Sequence, residues 1–254
     1  MNHDKSQFNT GHSPLWNPLH SNLWSPFSGS ALAGVGEVQG GGGVGSDPDF
    51  ASVVALLHFD GSNGSGVFTD EIGHTFTKTG TPTISTAQSV FGGASGFFPS
   101  ANHGLTNTDA DFLLTGDFTV EGWVRFTASS WADVLGIRNP STGNHLLMYK
   151  TSSEKLRFTW AGASKEVAVS LDTWYYFAVV RNGSSWSAYL DGVELGSPTS
   201  TTATLSGAVE FTIGFNGSIV GAGVNGYLDE VRVTNGVARY TAPFTPPTAA
   251  FPDA

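Results

Sequence analysis

From Ser52 onward, apolar and polar positions alternate in short runs separated by clusters of Gly, Asn, Asp, Ser and Pro, and no run of useful length has a helical period. In Asp117 to Phe126, Phe118, Val120, Val124 and Phe126 fall on one face and Thr119, Glu121, Trp123 and Arg125 on the other. That is the pattern of an antiparallel strand with one buried face. Val53 to Phe59 predicts a first strand that stops at Asp60-Gly61-Ser62-Asn63-Gly64, and Phe211, Ile213 and Phe215 alternate with Glu210, Thr212 and Gly214 in another. Between them, Trp174 to Arg181, Asn182-Gly183, Ser184 to Leu190 and Asp191-Gly192 predict two successive hairpins, because Asn-Gly and Asp-Gly supply the positive φ of tight turns. About a dozen such strands suit an all-β molecule of two antiparallel sheets packed face to face.

The first 50 residues follow no such pattern. They hold one Lys, no Arg, four acidic residues and the glycine run Gly40 to Gly43. Within them Ser13-Pro14-Leu15-Trp16-Asn17-Pro18-Leu19-His20 is followed directly by Ser21-Asn22-Leu23-Trp24-Ser25-Pro26-Phe27-Ser28, a Ser-x-Leu-Trp-x-Pro-apolar-x repeat. Proline fixes φ and restricts the residue before it, so this segment predicts an extended, non-globular arm. Leu15, Trp16, Pro18, Leu19, Leu23, Trp24, Pro26 and Phe27 make it far more apolar than a solvated tail, and such side chains need a surface to bury against. Two surfaces are open: a groove on another protein, or an edge of the chain's own sandwich. The Gly-rich stretch favours the first, as a flexible spacer. The expected division is an arm over residues 1–33, a linker over 34–51 and a sandwich over 52–254.

Charge and composition narrow the partners. A net charge of −10 with no cluster of Lys or Arg argues against nucleic acid, whose phosphates supply most of the affinity through basic side chains. The chain has no cysteine, so disulfide and thiol chemistry are both out of play. The segment Met1 to Gln7 leads into no apolar run of signal-peptide length, and no stretch approaches a membrane span. The expectation is a protein that reaches the exterior by lysis or as part of a particle.

Three stretches carry a family resemblance. Gly226-Tyr227-Leu228-Asp229-Glu230-Val231-Arg232-Val233-Thr234-Asn235-Gly236 with the tail to Pro247 resembles the closing strand of laminin-G-like, concanavalin A-like jelly rolls, in the version common on tailed-phage surface proteins. Trp174, Tyr189, Asp191 and Gly192 match the core hairpin of that family, and Phe91 to Phe98 is similar to its Gly-rich early strand. The resemblance spans roughly residues 52 to 250 and omits the arm. It implies a concanavalin A-like jelly roll and a non-enzymatic virion role, as a head decoration or tail-associated protein. The arm would dock on capsid or tail subunits, with the sandwich displayed at the virion surface and self-association into rings or trimers open. The alternative is an adhesin module that binds cell-surface glycan.

Candidate chemistry is sparse. Glycosidases on this sandwich use Glu-x-Asp-x-x-Glu on one strand, yet none of the eight glutamates has Asp two positions on, so no catalytic residues are assigned. The seven histidines show no metal spacing, and His58 is read as a hydrogen-bonded strand histidine. Strand parity puts Asp229 with Val231 and Val233 and Glu230 with Arg232. A carboxylate on the Val face needs either Arg181 or a ring of backbone N–H groups, or else a structural calcium, which the resemblance implies, held with Asp60 and Asp70. No Asp-x-Asp-x-Asp-Gly loop supports the calcium, and no other cofactor is expected. For a glycan platform the candidates by residue type are Trp131, Tyr149, Trp160 and Trp186.

Overall fold

The computed structural model describes residues 45–139, 145–207, 209–215 and 223–254, and the arm with its Trp-Pro repeat lies outside them. Sixteen strands and two 3-10 turns run in chain order among the described residues. They are β1 (Val53–Leu57), β2 (Thr77–Thr79), β3 (Thr83–Ser85), β4 (Ser95–Phe98), β5 (Gly104–Asn107), β6 (Phe118–Phe126), β7 (Ala132–Arg138) and β8 (His145–Lys150). There follow β9 (Lys155–Trp160), β10 (Ala163–Ala168), β11 (Trp174–Asn182), β12 (Ser185–Leu190), β13 (Val193–Glu194), β14 (Thr199–Ser200), β15 (Glu210–Ile213) and β16 (Gly226–Asn235). Among the described residues no helix is long and apolar enough to cross a membrane.

Two antiparallel sheets form the sandwich. One has nine strands in the order β13-β12-β11-β6-β16-β4-β3, with β1 also on β16 and β14 on β12; the other has seven, β10-β9-β8-β7-β15-β5-β2. The alternation in β6 is realised as the pattern requires, since Phe118, Val120, Val124 and Phe126 enter the core between the sheets. The hairpins also form, with one shift. Asn182 pairs with Ser185, so the first turn is Gly183-Ser184 with φ +58 at Gly183, one residue later than Asn182-Gly183. Asp191 and Gly192 take φ +49 and +77, as a type I′ turn demands.

Strand β11 is apolar on both faces because both are covered. Phe177 and Val179 face the opposite sheet, while Tyr176, Ala178 and Val180 join Val53, Leu56, Tyr189 and Phe251 in a second cluster on the outer face. The C-terminal tail supplies the cover. Tyr240 and Phe244 stack at 3.6 Å and pack there, and Phe244 N–H donates to Gly192 O at 3.0 Å. A Cβ at Gly192 would sit 1.8 Å from Phe244 O, so the tail fits only against glycine.

A buried charge network fastens this layer. Arg232 binds Glu121 at 2.7 Å and Asp47 at 2.9 Å, Arg239 binds Asp47 at 2.8 Å, and Glu121 accepts from both Tyr240 and Tyr176 hydroxyls. Two guanidiniums thus meet two carboxylates, which is what buried charge requires. Asp47 falls in the span read from sequence as linker, so contacts of the sandwich begin upstream of Ser52.

The parity expected for Asp229 is broken by a bulge. Register on β6 shifts between Asp229 and Arg232, with Glu230 at φ +51. Leu228, Val231 and Val233 all face the core, while Asp229 shares the outer face with its partner Trp123. Its Oδ2 accepts from the backbone N–H of Val90 at 2.7 Å and of Phe91 at 3.3 Å. Arg181 is engaged elsewhere, donating to Thr115 O and Gly116 O.

Candidate functional site

The outer face of the seven-stranded sheet is built by the second half of each alternating pattern. Strands β8 and β9 turn Leu146, Met148, Leu156, Phe158 and Trp160 into the core, so His145, Leu147, Tyr149, Lys155, Arg157 and Thr159 face outward. Register places Asp133, Tyr149, Arg157 and Glu166 side by side across β7 to β10. Trp131, just before β7, lays its ring on Tyr149, with centroids 5.6 Å apart and planes at 18°. It is 51% exposed, the single aromatic among the exposed large hydrophobic side chains of the described residues. The Arg157 guanidinium lies 5.8 Å from the Tyr149 ring centroid and donates to its hydroxyl at 3.3 Å and, through Nε, to Glu166 at 3.0 Å. The result is a two-ring aromatic surface with a hydrogen-bonding fringe, the arrangement that stacks on an apolar face of a ligand and binds its polar rim.

Besides Arg138 Nε and Thr159 Oγ1, which also lack a partner, the fringe holds one unmatched acid. Among the described residues no donor reaches the buried Asp133 Oδ2, and no hydrogen bond reaches its Oδ1, which is open to solvent. Burial pushes this carboxyl up to about 6. The cations of this face are paired with other acids, Arg138 with Glu210 and both Arg157 and Lys155 with Glu166.

Of the four aromatics proposed from sequence, the structure brings Trp131 and Tyr149 together and removes the others. Trp160 is fully buried and Trp186 is 1% exposed, their rings 6.2 Å apart between the sheets. Each shares a strand face with core residues, Leu156 and Phe158 for one and Ala188 and Leu190 for the other, so neither ring meets solvent. Asp133, Arg157 and Glu166 were missed, although the alternation Lys155-Leu156-Arg157-Phe158 marks Arg157 as outward-facing. A second aromatic row, Trp174, Tyr227 and Phe97 around Arg125, crosses the outer face of the nine-stranded sheet. Its rings are half-buried and its cation is paired with Asp172 at 3.0 Å.

Metal-ligand geometry falls elsewhere than expected. Asp70 is spent on Leu56 N–H at 2.7 Å and on His74, so it does not join Asp60 and Asp229. His74, Asp109 and Asp111 bring their ligand atoms within 4.8 Å of one another, beside a hollow of about 490 Å³ lined by Gly73, Thr75, Thr77 and Thr106. His74 already bridges Asp70 at 2.9 Å and Asp111 at 3.1 Å. Burial opposes its protonation, yet these hydrogen bonds to Asp70 and Asp111 raise its pKa.

The laminin G-type model of the concanavalin A-like lectin/glucanases superfamily matches residues 99–239. Among solved structures, domain 4 of an extracellular GH43 arabinanase from Geobacillus stearothermophilus, in complex with arabinotriose, superposes with a TM-score of 0.54 at 17% identity, over 74% of this chain and 94% of that one. Trypanosoma rangeli sialidase in complex with sialic acid gives a TM-score of 0.54 at 15% identity over 73% of this chain. The chain spans 31% of the sialidase. No curated protein sequence matches.

Proposed function

Since the chain belongs to the concanavalin A-like lectin/glucanases superfamily, we propose that it is a non-catalytic glycan-binding module whose site is the Trp131–Tyr149 face of the seven-stranded sheet. The observation that carries this reading is a solvent-facing aromatic pair seated beside an acidic group with unused hydrogen-bonding capacity. A sugar ring offers an apolar C–H face and a rim of hydroxyls, which is the complement of that surface. The arabinotriose complex of the similar arabinanase domain lends support. Two features favour binding over hydrolysis: the Glu-x-Asp-x-x-Glu strand is absent, and Glu166 and Glu210 are held by cations.

The test is a glycan array followed by titration calorimetry on the best ligand. Trp131→Ala and Tyr149→Ala are each expected to weaken binding about tenfold or more, the scale of a lost aromatic anchor, with little change in melting temperature because Trp131 contributes no core packing. An array without signal, or full affinity in both variants, rejects the reading.

A second reading concerns attachment, and the repeated Ser-x-Leu-Trp-x-Pro unit favours it. The arm would bury Trp16 and Trp24 in two like grooves of a capsid or tail subunit, so that the sandwich is displayed on a virion. The two readings are compatible, since a displayed lectin needs an anchor.

A further inference from the structure

We propose that Asp133 is the specificity-determining acceptor of this face, selecting uncharged glycans and excluding acidic ones. This rests on the glycan-binding reading above and goes further by naming the ligand class.

The argument is a census of charge around one carboxyl group. Asp133 stands opposite Tyr149 on β8, in the cross-strand row that continues to Arg157 on β9 and Glu166 on β10. On its other side β15 ends at Ile213 opposite Leu135 and Gly214 N–H donates to Val134 O, with no charged side chain there among the described residues; Glu210 and His145 lie farther along the face, both opposite Arg138. Both guanidiniums of this face are bonded to other carboxylates, and the Lys150 ammonium points inward to Ser130 O and Glu154. Among the described residues no cation is paired with Asp133. One of its oxygens is buried with no donor and the other opens to solvent, an unsatisfied arrangement that native structures seldom keep without a use.

A group in that state wants hydrogen-bond donors. The hydroxyls of a neutral sugar stacked on Trp131 and Tyr149 supply them, and a carboxylate in a poorly hydrated setting accepts them strongly. A sialic acid or uronic acid brings a second negative charge to a face whose described cations are all paired with acids, so it is repelled. Burial holds the Asp133 carboxyl up to about 6, which places the change in acceptor strength within an accessible range.

The experiment uses the full chain and calorimetric titration at pH 5 and pH 8 with two probe sets: neutral arabino- and galacto-oligosaccharides, and matched oligosaccharides ending in sialic or uronic acid. Neutral probes are expected to bind about fivefold more tightly at pH 8 than at pH 5, as a charged acceptor replaces a neutral one, while acidic probes fail at pH 8. Asp133→Asn is expected to flatten the pH profile and admit acidic probes, with a melting temperature at pH 8 equal to or above that of the parent. Neutral binding with a flat profile, or a parent that prefers acidic probes, overturns the assignment and leaves the glycan reading standing. Failure of both sets overturns the two together.

Discussion

At His58 two carboxylates compete with burial for control of one proton. Burial favours the neutral ring, but Nδ1 bonds Glu230 at 2.8 Å and Nε2 bonds Asp253 at 2.7 Å, and the pKa rises to about 9. A folded-state value above the unfolded 6.5 means stability that is complete below about pH 6.5 and lost as pH climbs through 9. The contribution is on the order of 2–3 kcal/mol, since Asp253 is exposed and screened. Asp229 acts in the same direction. Burial pushes it up to about 8 against the hydrogen bonds from Val90 and Phe91, so its ionisation between pH 3.8 and 8 burdens the fold. Melting curves from pH 5 to 10 are therefore expected to fall from the acid end of that range, as Asp229 becomes charged, and most steeply between about pH 6.5 and 8, where His58 adds its own loss. His58→Gln should remove most of the decline between pH 7 and 9, and Asp229→Asn, which keeps an acceptor oxygen for Val90 and Phe91, should raise stability at pH 9. Curves that stay parallel to the parent would contradict both. The hydrogen-bonded role of His58 was legible in its place on the first strand. Its partners were not, because they come from residues 172 and 195 positions away.

Among the elements, β16 shows where a local pattern misleads. Alternation assigns Asp229 to the Val231 face, and the bulge at Glu230 reverses it by putting one extra residue in the strand. Gly122, in the span of β6 facing the bulge, leaves the room: an added Cβ would lie 3.0 Å from Glu230 O and 3.1 Å from both Phe177 and Val231. Gly122→Ala is expected to cost about 1–3 kcal/mol by overpacking, measured by denaturant midpoint. The tail makes a larger difference. Removing residues 236–254 strips Tyr240, Phe244 and Phe251 from the outer cluster and leaves Glu121 without Tyr240 or Arg239. The truncated protein is expected to self-associate through the exposed Leu56, Tyr176 and Tyr189, visible by light scattering, while Phe251→Ala alone should cost about 3 kcal/mol. A monomeric truncation with an unchanged melting temperature would show the tail to be dispensable.

For the whole molecule, the decisive test of attachment is deletion of residues 1–44, a cut that spares Asp47 and its bonds to Arg232 and Arg239. The remaining sandwich should fold and bind glycan as before while losing co-purification with virions. Continued co-purification would refute the anchoring role. What the sequence determined by itself is what depends on neighbours a few positions apart: strands of period two, turns at glycines, an all-β sandwich, and an apolar arm unlike the rest of the chain. The tertiary structure alone decided which aromatic residues form a surface. Trp131, Trp160 and Trp186 are the same residue type in similar local settings, yet two are walled in by the opposite sheet and one is left facing water. The reason is physical. A residue's exposure is set by what packs on its face, and that layer comes from distant parts of the chain, as do the commitments of Arg138 and Arg157 that leave Asp133 without a partner.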